Sequence, residues 1–199
     1  MGIQTHRSVT LVSMPALCIA MTFVLNGSLA AAQQSGLEGR SITGTVYFVS
    51  GRASGRSLTF RLIVNRLTTA EEVKRLNVAL VEGGQDDLLK TLSRMDAGRI
   101  QIGGSVGVVA NAIIASQEGD RTKLTVVYER NVGFGELRYG ARSQDYKFGY
   151  AEMYVGSGAN QGMLIPAAKI RIKGGSTWEV EDFGTFPARL MGLQVRGRS

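Results

Sequence analysis

One cysteine, one histidine and three prolines are all that the chain contains of these residue types, and the first two lie close together near the N-terminus, at Cys18 and His6. Both fall in a stretch with the layout of a cleavable secretory signal. His6 and Arg7 give a basic start, Val9 to Leu25 (VTLVSMPALCIAMTFVL) an apolar run, and Ala30-Ala31-Ala32 a small-residue cleavage site. The alternative is an uncleaved anchor, because a run of about 17 residues is near the lower limit for crossing a bilayer. Pro15 inside the run and the small residues after it favour cleavage. Lipidation at Cys18 is disfavoured, since Leu17 precedes it and it sits within the apolar run.

Cleavage near Ala32 takes Cys18 and His6 away and leaves a chain starting at Gln33. That product has no disulfide, thiol nucleophile, imidazole base, or thiolate or imidazole metal ligand. Ser-His-Asp and Cys-His hydrolases, common zinc enzymes and His- or Cys-ligated haem are excluded with them. The expectation is a non-enzyme without cofactor or metal, exported to the periplasm or beyond.

Acid is missing locally. Between Glu38 and Glu71 there is none, against Arg40, Arg52, Arg56, Arg61 and Arg66, and the terminal stretch with Arg189, Arg196 and Arg198 also lacks it. With a formal charge of +7, these stretches suit anionic lipid, lipopolysaccharide, polysaccharide or nucleic acid, or simply form a solvated basic face. Export, and the lack of stacking aromatics among the basic residues, argue against nucleic acid.

What is present is mostly strand. Leu58, Phe60, Leu62 and Val64 alternate with Thr59, Arg61 and Asn65, a period of two. Further strands are predicted near 42–49, 106–115, 123–129, 146–155, 162–172, 177–182 and 188–195, separated by glycine-rich turns. One segment has helical spacing. Thr68 and Glu71 are placed for a capping box, Val73, Leu76 and Leu80 recur along one face, and Gly83-Gly84 supplies a stop before Leu88, Leu92 and Met95. The domain plan is therefore a signal at 1–32, a flexible leader at 33–40, and one domain at 41–199 with a helical hairpin at about 69–95. Its expected class is α+β, mainly antiparallel, as a calycin-like β-barrel or a closed β-sandwich.

The strand at 146–155 carries the candidate binding residues. Tyr146, Phe148, Tyr150 and Tyr154 share a face with Glu152, opposite Gly149, Ala151, Met153 and Val155. Such a stripe either lines a pocket for an apolar or lipidic small molecule or packs across strands. The glycine-rich segments at 133–140 and 103–107 lack the Gly-Lys-Ser/Thr ending of a phosphate loop. Glu179 and Glu181 alternate with Trp178 and Val180, as on a solvent face, and no calcium loop is present.

Four blocks, LTTAEEVKRLNVALVEGGQDDLLKTLSRM, ERNVGFGELRYGARSQDYKFGYAEM, PAAKI and WEVEDFGTFPARL, together resemble a family of uncharacterised exported bacterial proteins. The resemblance runs from about Thr43 to the end, departing at Gly135, where an aromatic residue is usual. It implies one exported domain and no reaction. It also singles out Arg142 to Tyr146: Arg142 either pairs with Asp145 across a turn or joins Tyr146 at a ligand rim. A non-catalytic small-ligand binder and a structural or protein-interaction domain of the envelope both remain open. N-terminal sequencing of the exported protein is expected to begin at Gln33; a protein beginning before His6 would restore the histidine and cysteine to the chemistry.

Overall fold

The computed structural model describes residues 35–50, 54–130, 142–173, 177–183 and 187–197, and the backbone of 19–20, with the side chains of 142 and 143 left aside. Most of the proposed signal and the glycine-rich segment at 133–140 lie outside the described residues.

The architecture is α+β: one helix and a large antiparallel sheet. In chain order the strands are β1 (Ile19–Ala20), β2 (Ser41–Tyr47), β3 (Ser57–Val64), β4 (Gly98–Ile102), β5 (Val108–Ala110), β6 (Ala112–Glu118), β7 (Arg121–Glu129), β8 (Phe148–Gly156), β9 (Gln161–Lys173), β10 (Thr177–Asp182) and β11 (Ala188–Arg196). Helix α1 (Ala70–Leu92) lies between β3 and β4. The ladder runs β5-β4-β3-β2-β11-β9-β8-β7-β6. β11 and β10 occupy successive stretches along β9, and β10 in turn pairs with β1. Cleavage near Ala32 would remove β1 and leave that side of β10 unpaired.

Alternation dictates the layering. The inward side chains of β2 and β3, with Ile42, Val46, Phe60, Leu62 and Val64, meet those of β7, β8 and β9, with Leu124, Val126, Ala151, Met153 and Leu164, in one core. Each of these is at most 1 % exposed, so the curled sheet packs solidly onto itself. The opposite face of β6 to β10 forms a second core with α1. There Leu76, Leu80, Leu88 and Leu92 cover Ile114, Val127, Phe148, Tyr150, Ile165 and Trp178. β7 is thus buried on both faces from Lys123 to Tyr128, whereas β3 alternates buried and accessible residues.

The closed barrel or closed sandwich of the sequence reading is not formed, because the ladder ends at β5 on one side and β6 on the other. These two edges are consecutive in the chain, separated only by Asn111. The predicted strand at 106–115 divides there: Ala110 and Ile113 face the inner core, while Ala112 and Ile114 face α1. That one-residue change of parity moves the chain from one sheet edge to the other. The buried Asn111 side chain holds the corner, its Nδ2 donating to Met95 O at 3.1 Å and its Oδ1 accepting from Glu129 N at 2.8 Å. Strand β4 also escaped the pattern, being only five residues long and bounded by glycines.

The helix begins one residue later than the capping-box spacing suggests. Thr69, not Thr68, is the N-cap, accepting from Glu72 N at 3.2 Å, while Glu72 Oε2 accepts from Thr69 N at 2.9 Å. Thr68 is drawn into the sheet instead, donating its N–H to Ile113 O at 2.8 Å and accepting from Ile113 N at Oγ1 at 2.9 Å. In place of a turn between two separate helices, a single residue, Gly84 (φ 65°, ψ −150°), kinks α1 into two arms. Such a conformation is open mainly to glycine.

Arg66 grips Glu72 with two nitrogens, at 2.7 and 3.1 Å. These hydrogen bonds, with that from Thr69, hold the Glu72 carboxyl below the usual carboxylate range despite partial burial. A depressed folded-state pKa stabilises above the unfolded value of about 4.3 and is lost as pH falls through the folded value. Glu72→Gln, which keeps the cap but removes the charge, is expected to lower stability by about 1 kcal/mol at neutral pH. Urea titrations should find the gap between variant and parent closing as the pH is taken below about 4.

Candidate functional site

The aromatic face of β8 is divided between three environments. Phe148 and Tyr150, 0 and 1 % exposed, lie in the core beneath α1. Tyr154, half-buried, sits farther along the same face. Tyr146 precedes the strand, donating its hydroxyl to Glu181 Oε1 at 2.5 Å and packing edge-on against Phe183 at 4.9 Å. The backbone of Arg142 belongs to a 3-10 turn (Arg142–Asp145), and its side chain is outside the described residues. The four aromatic candidates therefore do not share one environment. Phe148 and Tyr150 pack in the core beneath α1, which covers that part of the face.

Around Glu152 the structure assembles a polar cluster. Thr125 lies directly opposite Glu152 in the β7–β8 register, and Lys123 opposite Tyr154, so Lys123 and Glu152 are diagonal neighbours on one face. Glu152 Oε1 is 3.2 Å from Lys123 Nζ and accepts from the Tyr154 hydroxyl at 2.9 Å; Oε2 accepts from the Tyr150 hydroxyl at 2.9 Å. Lys123 also meets Glu118 at 3.3 Å, and Arg121 and Lys123 both lie over the Tyr154 ring. Lys123 and Glu152 are 7 and 8 % exposed.

The electrostatics keep the lysine and both phenols protonated. Burial pulls the Lys123 ammonium down, but Glu152, with Tyr154 and Glu118, outweighs it and holds the group above its ordinary value. Burial first, and then the Glu152 charge, pushes the Tyr150 phenol well above its ordinary value, and Tyr154 rises for the same reasons. On the other face of β7, burial alone pushes Tyr128 up to about 12. A protonated lysine and two protonated phenols around one carboxylate offer neither a neutral amine nor a phenolate, and the carboxylate is engaged by all three. The cluster ties β7 to β8 at the margin of the helix-covered face. Sequence reading placed Glu152 on the aromatic face but missed Lys123; the signal was the polar Lys123 and Thr125 at alternate positions of an otherwise apolar strand.

Glu179 and Glu181 take the solvent positions expected of them. They face Lys173 and Arg171, each at 3.2 Å, while Trp178, just before them on the opposite face, is buried. Trp178 Nε1 donates to Asn77 Oδ1 of α1 at 2.6 Å. Among the described residues no group of three or more His, Cys, Asp or Glu could hold a metal ion, and no described helix is long and apolar enough to cross a membrane.

Open grooves also lie on the surface. One, of about 980 Å³, lies along α1 between Arg66 and Met95, with Val78 and Ala79 among charged residues. Another, of about 510 Å³, lies across the outer face of β11, β2, β3 and β4, lined by Thr43, Thr45, Thr59, Arg61, Gln101, Gln194 and Arg196 among others. The second groove brings part of each acid-free stretch noted in the sequence into one place.

No family model, curated protein or solved structure matches the chain.

Glu152→Ala removes the acceptor shared by the buried Lys123 and Tyr150 and the half-buried Tyr154, and is expected to cost about 3 kcal/mol in urea denaturation. Were the cluster a ligand rim on an independently stable strand, the same substitution would leave the unfolding midpoint unchanged.

Proposed function

We propose that this chain is an exported, non-catalytic domain of the cell envelope that docks its partner on its outer surface, without a small ligand held inside. Filled space carries the reading. Ile42, Val46, Leu62, Val64, Leu124, Val126, Ala151, Met153, Leu164 and Leu190 occupy the interior at 0 % exposure, where a calycin-type barrel would keep its apolar ligand. Of the aromatic stripe that suggested such a ligand, Phe148 and Tyr150 are spent on packing beneath α1.

Export rests on the signal-like N-terminus and on the resemblance to exported bacterial proteins, with an extracytoplasmic location after cleavage near Ala32. Absence of catalysis rests on the lack of histidine and cysteine in the cleaved chain and on the mutual saturation of Lys123, Glu152, Tyr150 and Tyr154. The open groove across β11, β2, β3 and β4 favours contact with an anionic envelope component over contact with an apolar molecule.

Native mass spectrometry of protein purified from its own compartment tests this reading. The expected spectrum is the bare chain mass, with no lipid-sized adduct. A stoichiometric lipid that survives gentle desolvation would overturn it.

A further inference from the structure

β10 pairs with β9 on one side and with β1 on the other, and the alternation of its ladder fixes which backbone groups face outward. Phe183 N donates to Ala167 O at 3.1 Å, continuing the β9–β10 register. In an antiparallel pair, directly opposed residues exchange main-chain hydrogen bonds at every second position. Glu181, Glu179 and Thr177 therefore turn their backbone groups toward β9, and Val180 and Trp178 turn theirs away from it. Along that outer edge lies β1, with Ile19 opposite Val180 and Ala20 opposite Glu179. The outward-facing Val180 is thus placed to exchange both of its main-chain bonds with Ile19.

Nothing in β10 guards this edge once β1 is gone. Natural edge strands are blunted by proline, lysine or a bulge. The six residues Thr177–Asp182 contain no proline, glycine or lysine, and their pairing with β9 runs without a register shift. Two faces of different character border the edge. On the helix-covered side, Val180, Ile172 and Val73 are only partly buried against the core, and the buried Trp178 is fixed to Asn77 of α1. On the other side Glu179 and Glu181 hold Lys173 and Arg171.

We infer that, in the cleaved chain, the outer edge of β10 binds an extended segment of a protein partner. That segment is apolar at the position opposite Val180 and free of acid opposite Glu179 and Glu181. The inference rests on the export, cleavage and surface docking proposed above, and it places a protein contact apart from the groove across β11, β2, β3 and β4. β1 supplies the geometry: an antiparallel strand whose main chain completes the outward N–H and C=O groups, with an apolar residue type set against Val180. A second copy of the chain fits less well. β10 paired with itself about Val180 sets Glu179 against Glu181, and paired about Glu179 it sets that residue against its own copy. Like charges directly opposite each other are destabilising.

The test uses exported protein purified from its own compartment and a synthetic peptide of residues 16–24, carrying Cys18→Ser and terminal lysines for solubility. Binding is read from the fluorescence of Trp178, the chain's one tryptophan, and from hydrogen exchange at the Trp178 and Val180 amides. The peptide is expected to bind and to slow exchange at both amides at least about tenfold. Methylating the peptide nitrogen at Ile19 removes the donor to Val180 O and is expected to weaken binding at least about tenfold. Ala20→Glu in the peptide, set against Glu179, is expected to weaken it as well. On the protein, Val180→Pro removes an outward N–H while sparing the bonds to β9, and should weaken the unmodified peptide at least about tenfold. The two altered peptides give the answer if that variant fails to fold. The inference is overturned if the peptide leaves both amides exchanging as before, or if the methylated peptide binds as tightly as the parent. A dimer of the protein alone in which these amides are already protected also overturns it, as does an N-terminus before Ile19, because β1 then closes the edge. A clean bare-chain mass with no peptide binding rejects this edge while leaving surface docking intact; a bound lipid rejects surface docking itself.

Discussion

The fold turns on one residue's worth of backbone between β5 and β6. Two neighbouring segments of the chain form opposite ends of a nine-strand ladder, so the sheet must curl until its two ends nearly meet. At that seam no strand ladder closes the circle. Asn111 satisfies backbone groups from Met95 and Glu129, Thr68 pairs by main chain and side chain with Ile113, and Ala97 N donates to Ala110 O at 2.9 Å. Buried backbone donors and acceptors are costly to leave unpaired, so these contacts substitute for the ladder that is missing. Because the sheet curls here, the inner faces of β2 and β3 meet those of β7 and β8, and the core forms.

The same curl makes the two halves unlike. β7 and β8 lie between the inner core and α1, and lose water on both faces along most of their length. There the few charged side chains survive only in company, Lys123 and Glu152 being held by each other and by two tyrosines. β2, β3, β4 and β11 keep a more accessible outer face, on which Thr, Gln and Arg stand beside Ile63 and Met191. The helix and its acidic surface sit on the side away from this face. A buried ionic cluster that ties strands together and a more accessible outer face are thus two consequences of one arrangement.

Much of the strand pattern was legible because alternation is a local property. Leu58 to Val64 reads directly as a one-sided strand, and Trp178 and Val180 as the face opposite Glu179 and Glu181. The helix was legible from Leu76, Leu80, Leu88 and Leu92, and its break from Gly83-Gly84. The cap was misplaced by one residue, since Thr68 and Thr69 are equivalent as local candidates. Only the position of Ile113, 45 residues away, recruits Thr68 to the sheet and leaves Thr69 for the helix. For the candidate site the aromatic face of β8 was correctly grouped, but whether a face is open or covered depends on what packs against it. Phe148 and Tyr150 went under α1, and Tyr146 went to β10.

The sequence by itself determined the signal-like N-terminus, the scarcity of catalytic side chains, the strand periodicity, and the absence of acid between Glu38 and Glu71 and after Asp182. Each is a matter of residue identity and near neighbours along the chain. Tertiary structure alone decided that the ladder stays open at Asn111, that Lys123 finds Glu152, and that the acid-free stretches share one surface. Those outcomes depend on which strands pair and in what register. Pairing is set by burial of apolar faces far apart in sequence, and a one-residue shift in register would send every side chain of a strand to the opposite face.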